Sequence, residues 1–199
     1  MPRVPADVRR DRLVEAAIRV MVRDGVAKAT TRSIVSEAEM PLGAFHYCFR
    51  SKQELLENVI EAITGHTLSL ALEVVAEDGT FDERLRGGLA AYWTHVKENP
   101  DEHRVTYELT QYAVRQPGLA DVARRQYETY LAANRQVLEK LSEACGVTWS
   151  VPLATVARYM AAIIDGMTLL YLSEGDADAA AAALDLGADH IASLAVRAS

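Results

Sequence analysis

TTRSIVSEAEMPLGAFHYCFRSK, residues 30–52, is the stretch whose reading decides the fold. It divides into two short helical patterns around a tight turn, with a small hydroxyl residue opening the first and Pro41 standing where a second helix begins. Ile34, Val35 and Ala38 give the first half an apolar face, and Met40, Ala44, Phe45 and Phe49 continue that stripe at helical spacing. The remaining positions carry Thr30, Thr31, Arg32, Ser33, Leu42, Gly43, His46 and Tyr47. Groups of this kind approach a duplex closely, contact phosphates and reach base edges. The pattern is a helix-turn-helix.

Upstream, Asp7 is read as the N-cap of a helix ending near Asp24, with Leu13, Ala16, Ala17, Val20 and Met21 on one face and Gly25 as its stop. That helix completes a three-helix unit. Arg3, Arg9 and Arg10 precede or open it as a basic arm toward the DNA backbone or minor groove, with a solvated terminus the competing reading for Arg3.

Downstream, Ser51 to Glu54 reads as a capping box for a long helix to about Glu77, which links two domains. Asp78-Gly79 breaks the pattern, and a second box, Thr80 to Glu83, starts a helix ending at Asn99-Pro100. Gly87-Gly88 inside it implies close packing or a bend. Helices are then expected over Asp101–Arg115, Leu119–Cys145, Ser150–Leu172 and Asp176–Arg197, broken at Gln116-Pro117-Gly118, Gly146 and Glu174-Gly175. No alternating strand pattern occurs. The expected architecture is all-α with about nine helices: a helix-turn-helix domain over 1–52, a linker helix over 53–77, and a larger ligand-binding and dimerisation domain over 78–199.

Charge agrees with that division. Residues 1–52 hold ten Lys/Arg against six Asp/Glu, or +4, whereas 53–199 hold eleven against twenty-two, or −11, which recovers the formal −7. A basic first quarter on an acidic chain suits a DNA reader joined to a body that does not touch DNA. Two cysteines, Cys48 and Cys145, make no disulfide framework and read as reduced thiols. MPRVPADVRR lacks the apolar core of a signal peptide, so a cytoplasmic location is expected. Leu153–Leu172 is the one stretch read as long and apolar enough to raise a membrane question, and Arg158, Asp165 and Gly166 within it favour burial between protein helices.

The run RLVEAAIRVMVRDGVAKATTRSIVSEAEMPLGAFHYCFRSKQELL resembles the N-terminal domain of the TetR (tetracycline-repressor) family of bacterial transcriptional regulators. Ala16-Ala17, Gly25, Thr30-Thr31, Ile34, Ala38, Gly43, Phe49, Lys52 and Leu55 stand where the family pattern has them. The resemblance implies that Arg32 reaches a guanine, that Leu42, Gly43 and Ala44 sit against base edges, and that Thr31, His46, Tyr47 and Lys52 hold phosphates. Thr31 is equally readable as the helix cap, and His46 and Tyr47 as packing residues. At the turn the family's Ala-Gly-Val-Ser is replaced by Ala38-Glu39-Met40-Pro41, putting a glutamate where glycine accepts positive φ at no steric cost. Cys48 replaces a usual His or Tyr and removes one phosphate contact. Arg115 to Ala120 also resembles, more loosely, the betaine-regulator subgroup.

For the C-terminal domain, the resemblance implies that the Ala-rich last two helices pair with their copies in a twofold homodimer. Trp93, Tyr107, Gln111, Tyr127, Asn134, Met160 and Asp165 are the candidate lining for a small organic effector, and Asp165 alternatively bonds across the dimer. No enzyme signature, metal-ligand spacing or cofactor motif is present. The expected function is a repressor released from a palindromic double-stranded operator by a small molecule. The competing reading is a helical small-molecule-binding or protein-interaction dimer that has lost specific DNA binding through Glu39 and Cys48.

Overall fold

The structure, a computed structural model, describes residues 5–197, the side chain of Arg197 excepted. Arg3 lies outside the described residues. Nine α-helices run through the described chain: α1 Ala6–Asp24, α2 Thr31–Glu37, α3 Leu42–Cys48, α4 Lys52–Ala76, α5 Phe81–Glu98, α6 Pro100–Arg115, α7 Ala120–Cys145, α8 Leu153–Glu174 and α9 Ala177–Ser193, with one 3-10 turn at Val26–Lys28. The all-α expectation of about nine helices holds among the described residues, with α8 running Leu153–Glu174 rather than Ser150–Leu172.

Several ends differ, each for a local reason. Asp7 is not the cap of α1: Pro5 occupies that position without a side-chain bond, and Asp7 sits in the first turn, where its charge favours the helix N-terminus. The box expected at Ser51 is half made. Glu54 N–H donates to Ser51 Oγ at 3.1 Å, but the Glu54 carboxylate turns away to Arg10 and to the Arg50 N–H. The box at Thr80–Glu83 is complete, and hydrogen bonds from the Thr80 N–H and the Thr80 hydroxyl hold the Glu83 carboxyl below the usual carboxylate range. The last helix stops at Ser193 rather than Arg197, because Ala195–Arg197 (β2) pairs antiparallel with Val147–Trp149 (β1) in a two-stranded ribbon. Three-residue strands are too short for an alternating pattern to register in sequence.

By packing, the chain forms two compact units. One comprises the described residues up to Ile63 together with Asp101–Tyr127, and the other Thr64–Pro100 with Glu128–Ser199 as far as described. This grouping differs from a split at 52 and 78, since α6 and the start of α7 share a core with the N-terminal helices. That core joins Leu13, Ala17, Ile34, Phe45, Phe49, Leu55, Val59, Val105, Leu109 and Val122. Within it the buried Gln126 pins α7 to α6, donating to the Thr106 carbonyl at 3.0 Å and accepting from Thr110 Oγ1 at 2.8 Å.

The second unit has one cluster around Leu85, Leu138, Leu141, Val156, Met160 and Ile191, and another around Trp93, Val96, Ala180 and Leu184. Arg86 bridges α5 to α9, pairing with Asp82 on its own helix and with Asp185 and Asp189 on the other. Not only α8 but also α4 is long and apolar enough to cross a membrane by length and composition. In α4 the apolar residues Leu55, Leu56, Val59, Ile60 and Ile63 are buried in the first unit's core.

Gly87 and Gly88 mark close packing. A Cβ on Gly87 would lie 2.6 Å from Val74 Cγ1, on a stiff β-branched side chain, whereas one on Gly88 would meet its nearest atom at 3.6 Å. Alanine should therefore act oppositely at adjacent positions. Gly88→Ala is expected to stabilise by about 0.5–1 kcal/mol through helix propensity, and Gly87→Ala to destabilise by about 1 kcal/mol or more through overpacking, both read from denaturant unfolding midpoints.

Candidate nucleic-acid interface

Thr30 caps α2: its side chain accepts from Ser33 N–H at 3.1 Å, and Ser33 Oγ accepts from Thr30 N–H at 2.9 Å. The cap is thus Thr30, not Thr31, which leaves the Thr31 hydroxyl available. Ile34, Val35 and Ala38 of α2 and Phe45 and Phe49 around α3 are buried, and Met40 packs half-buried on the same core. Between the helices Glu39 has φ 54°, and it is the positive-φ non-glycine residue among those described. Holding an L-residue there costs about 1–2 kcal/mol. The turn is closed by Glu39 N–H to the Ser36 carbonyl at 3.1 Å and Met40 N–H to the Val35 carbonyl at 2.8 Å.

With the apolar faces turned inward, the other faces point to solvent. Arg32, Gly43 and His46 are exposed, Leu42 is 43% and Tyr47 61% exposed, and Thr31 and Ala44 are half-buried. No atom lies within 4 Å of where a Gly43 Cβ would stand, so the fold itself does not require glycine there. Lys52, at the first position of α4, is half-buried with its ammonium 3.3 Å from Tyr112 Oη and 5.0 Å from that ring's centroid. All eight candidate residues belong to the first compact unit.

The basic residues divide by partner. Arg10 is structural rather than part of an arm. Its guanidinium donates to Asn58 Oδ1 (3.0 Å), to the Cys48 carbonyl (2.6 Å) and to Glu54 Oε1 (2.8 Å), and it stacks on Phe49 at 4.5 Å. That hydrogen bond, with one from the Arg50 N–H, holds the Glu54 carboxyl below the usual carboxylate range. Arg19 and Arg23 both bind Glu37, tying α1 to α2. Arg9 behaves differently. Its guanidinium lies over the exposed Tyr47 ring at 4.7 Å, and its buried Nε has no hydrogen-bond partner. Cys48 packs half-buried against the core. Sequence spacing carries no signal for Arg10, because its partners lie 38 to 48 residues away.

The seven effector candidates fall into both units. Tyr107 (half-buried), Gln111 and Tyr127 (both exposed) belong to the first. Trp93, Asn134, Met160 and Asp165 belong to the second. Trp93 is buried edge-on against Tyr171 at 4.9 Å, Met160 is buried in the core, and Asn134 donates back to the Tyr130 carbonyl at 2.8 Å. Asp165 is half-buried, not deeply buried. A pair not singled out from sequence lies nearby: Tyr92 Oη and Thr168 Oγ1 are 2.9 Å apart. Burial pushes the Tyr92 hydroxyl well above its ordinary value, the Thr168 bond opposes this, and the charges of Tyr130 and Asp165 add to it. No group of three or more His, Cys, Asp or Glu suited to a metal ion occurs among the described residues.

The chain is similar to known proteins in sequence and in fold. The family model for bacterial regulatory proteins of the tetR family matches residues 13–59, and that for the C-terminal part of BetI-type transcriptional repressors matches 81–196. The nicotine-responsive transcriptional repressor HdnoR of Paenarthrobacter nicotinovorans is 31% identical over 170 residues, covering 83% of this chain and 84% of that protein. The transcriptional regulator PksA of Bacillus subtilis is 23% identical, covering 85% and 82%. Among solved structures, a TetR transcription regulator from Haloarcula marismortui has a TM-score of 0.72 at 20% identity, covering 96% of this chain and all of that one. SmeT, repressor of a Stenotrophomonas maltophilia multidrug efflux pump, has a TM-score of 0.66 at 16% identity, covering 94% and 90%. At these identities the structures speak for the fold.

Arg10 yields a testable consequence. Because Glu54 titrates lower in the folded state than in the unfolded chain, its contribution is present above the ordinary carboxylate range and is lost as pH falls through the folded-state value. Arg10→Ala is expected to lower stability by on the order of 2 kcal/mol at neutral pH. The stability lost by the parent on acidification should shrink in the variant, as read from unfolding curves between neutral and acid pH.

Proposed function

The chain belongs to the TetR family of bacterial transcriptional regulators, and on that premise we propose that it is a homodimeric repressor that leaves a palindromic operator when a small organic molecule binds its C-terminal helices. The family is one of regulators rather than enzymes, and its members bind DNA operators and small effectors, typically as dimers. One observation carries the DNA side of this reading. The buried faces of α2 and α3 are committed to the core, which leaves Arg32, Leu42, Gly43, His46 and Tyr47 outward on a single packed unit.

In this reading Arg32 forks onto guanine O6 and N7, Leu42 and Ala44 offer apolar contact such as to a thymine methyl, and the bare backbone at Gly43 lets the helix approach. Thr31, His46, Tyr47 and Lys52 hold phosphates. Glu39 keeps the positive-φ turn that the family fills with glycine, so the motif retains its geometry despite the substitution. This supports DNA reading over its loss. A DNA-bound regulator belongs in the cytoplasm.

Two heads must be held about 34–36 Å apart to read successive major grooves. For that pairing we assign α8 and α9, where Leu186 is 70% exposed and Leu169 and Leu170 about half exposed. The effector is a small organic molecule of unspecified structure, with Trp93, Asn134, Met160 and Asp165 of the second unit as its candidate contacts. The nicotine response in HdnoR's name belongs to that relative; it supports here only that a similar domain answers to a small molecule.

Selection of an operator from a random-sequence duplex pool, followed by salt-titrated binding, tests the assignment. Arg32→Ala is expected to lose about 1–3 kcal/mol on the selected site and to relax preference at one base pair, whereas Lys52→Ala weakens all sequences and lowers the salt slope by about 1. A pool that yields no enriched sequence would sink the reading. Separately, sedimentation of Leu186→Glu should give half the parent's mass; a parent that already sediments as a monomer would remove the dimer.

A further inference from the structure

We propose that Tyr112 is a positioning residue for DNA binding, one that aims the Lys52 ammonium at a phosphate; this rests on the reading of Lys52 as a phosphate anchor. Glu108 and Tyr112 stand one turn apart on one face of α6. Glu108 Oε1 accepts from the Val26 N–H at 2.9 Å, at the segment leading into α2, and Tyr112 meets Lys52 at the first residue of α4. One helical face thus holds the chain just before the helix-turn-helix and just after it.

The chemistry of the second contact suits an anchor. Lysine's ammonium carries three donors, and Tyr112 Oη takes one, leaving two for phosphate oxygens. A carboxylate in that place would cancel the charge that draws the phosphate, whereas a neutral phenol restrains the side chain and leaves its charge intact. Lys52 forms no ion pair among the described residues. At 3.3 Å the bond is long enough to adjust as a phosphate arrives. Tyr112 itself is half-buried against the unit's core, so its ring is held in place. The lysine accordingly reaches the duplex already restricted, and less of its rotamer freedom is surrendered on binding.

The test uses the full-length protein and the operator it selects from a random pool, with Tyr112→Phe, Lys52→Ala and the double variant. Tyr112→Phe keeps the ring and the packing and removes only Oη. It should weaken binding about three- to tenfold without altering the salt slope, because the ammonium remains, and in the Lys52→Ala background it should change affinity by less than about twofold. Two outcomes overturn the proposal: Tyr112→Phe binding like the parent, or losing as much affinity in the Lys52→Ala background as alone, which marks a merely structural role. Parental affinity and salt slope in Lys52→Ala would instead remove the anchor itself, and the proposal with it.

Discussion

Arg10 is the contact on which the geometry of the N-terminal unit turns. One guanidinium from α1 closes the Cys48 carbonyl at the end of α3, binds Glu54 and Asn58 in the first turns of α4, and lies over the Phe49 ring between them. Three helices are thereby fixed at a place where the backbone passes through Phe49, Arg50 and Ser51 outside any helix. The planar fork with five donors is what allows this; a lysine's ammonium, a point charge on a flexible stem, has no planar group to stack on Phe49 and no fixed fork to hold the three acceptors apart. Glu54 abandons half of its expected capping box to take part, and the Arg50 N–H completes its shell.

The same unit shows how core formation defines an outer surface. Phe45 and Phe49 cannot be buried without turning His46 and Tyr47 outward, since adjacent helical residues point about 100° apart. Ile34 and Val35 bury in the same way and leave Arg32 exposed. No separate device is needed to present the DNA-facing groups: presentation follows from burial. Glu39 is the point of strain in this plan, an exposed residue held at φ 54° between two helices whose own packing fixes them.

Most of this was legible in the sequence because it is local. Helical periodicity, the stops at Gly25, Gly146 and Gly175, and the Thr80 box depend on residues a few positions apart. What was not legible depends on distance or on chemistry shared by two roles. The Thr30 cap was hidden because serine replaces the usual glutamate at its third residue. The grouping of α6 with the N-terminal helices rests on Val105, Leu109 and Val122 sharing a core with residues some forty or more positions upstream. Buried aromatics such as Trp93 look alike in sequence whether they fill a core or wall a cavity, and Tyr92 with Thr168, 76 residues apart, shares no motif.

The partners of the head's basic residues also set how strongly a duplex is felt. Of the ten Lys/Arg in the first 52 residues, Arg10, Arg19 and Arg23 are already neutralised by Glu54, Glu37 and Asp24. Arg9, Arg12, Lys28, Arg32 and Lys52 form no ion pair among the described residues. Each phosphate neutralised by such a group expels condensed cations from the DNA, and groups already paired expel none. The electrostatic grip of this protein is therefore that of a handful of side chains, smaller than its formal composition suggests.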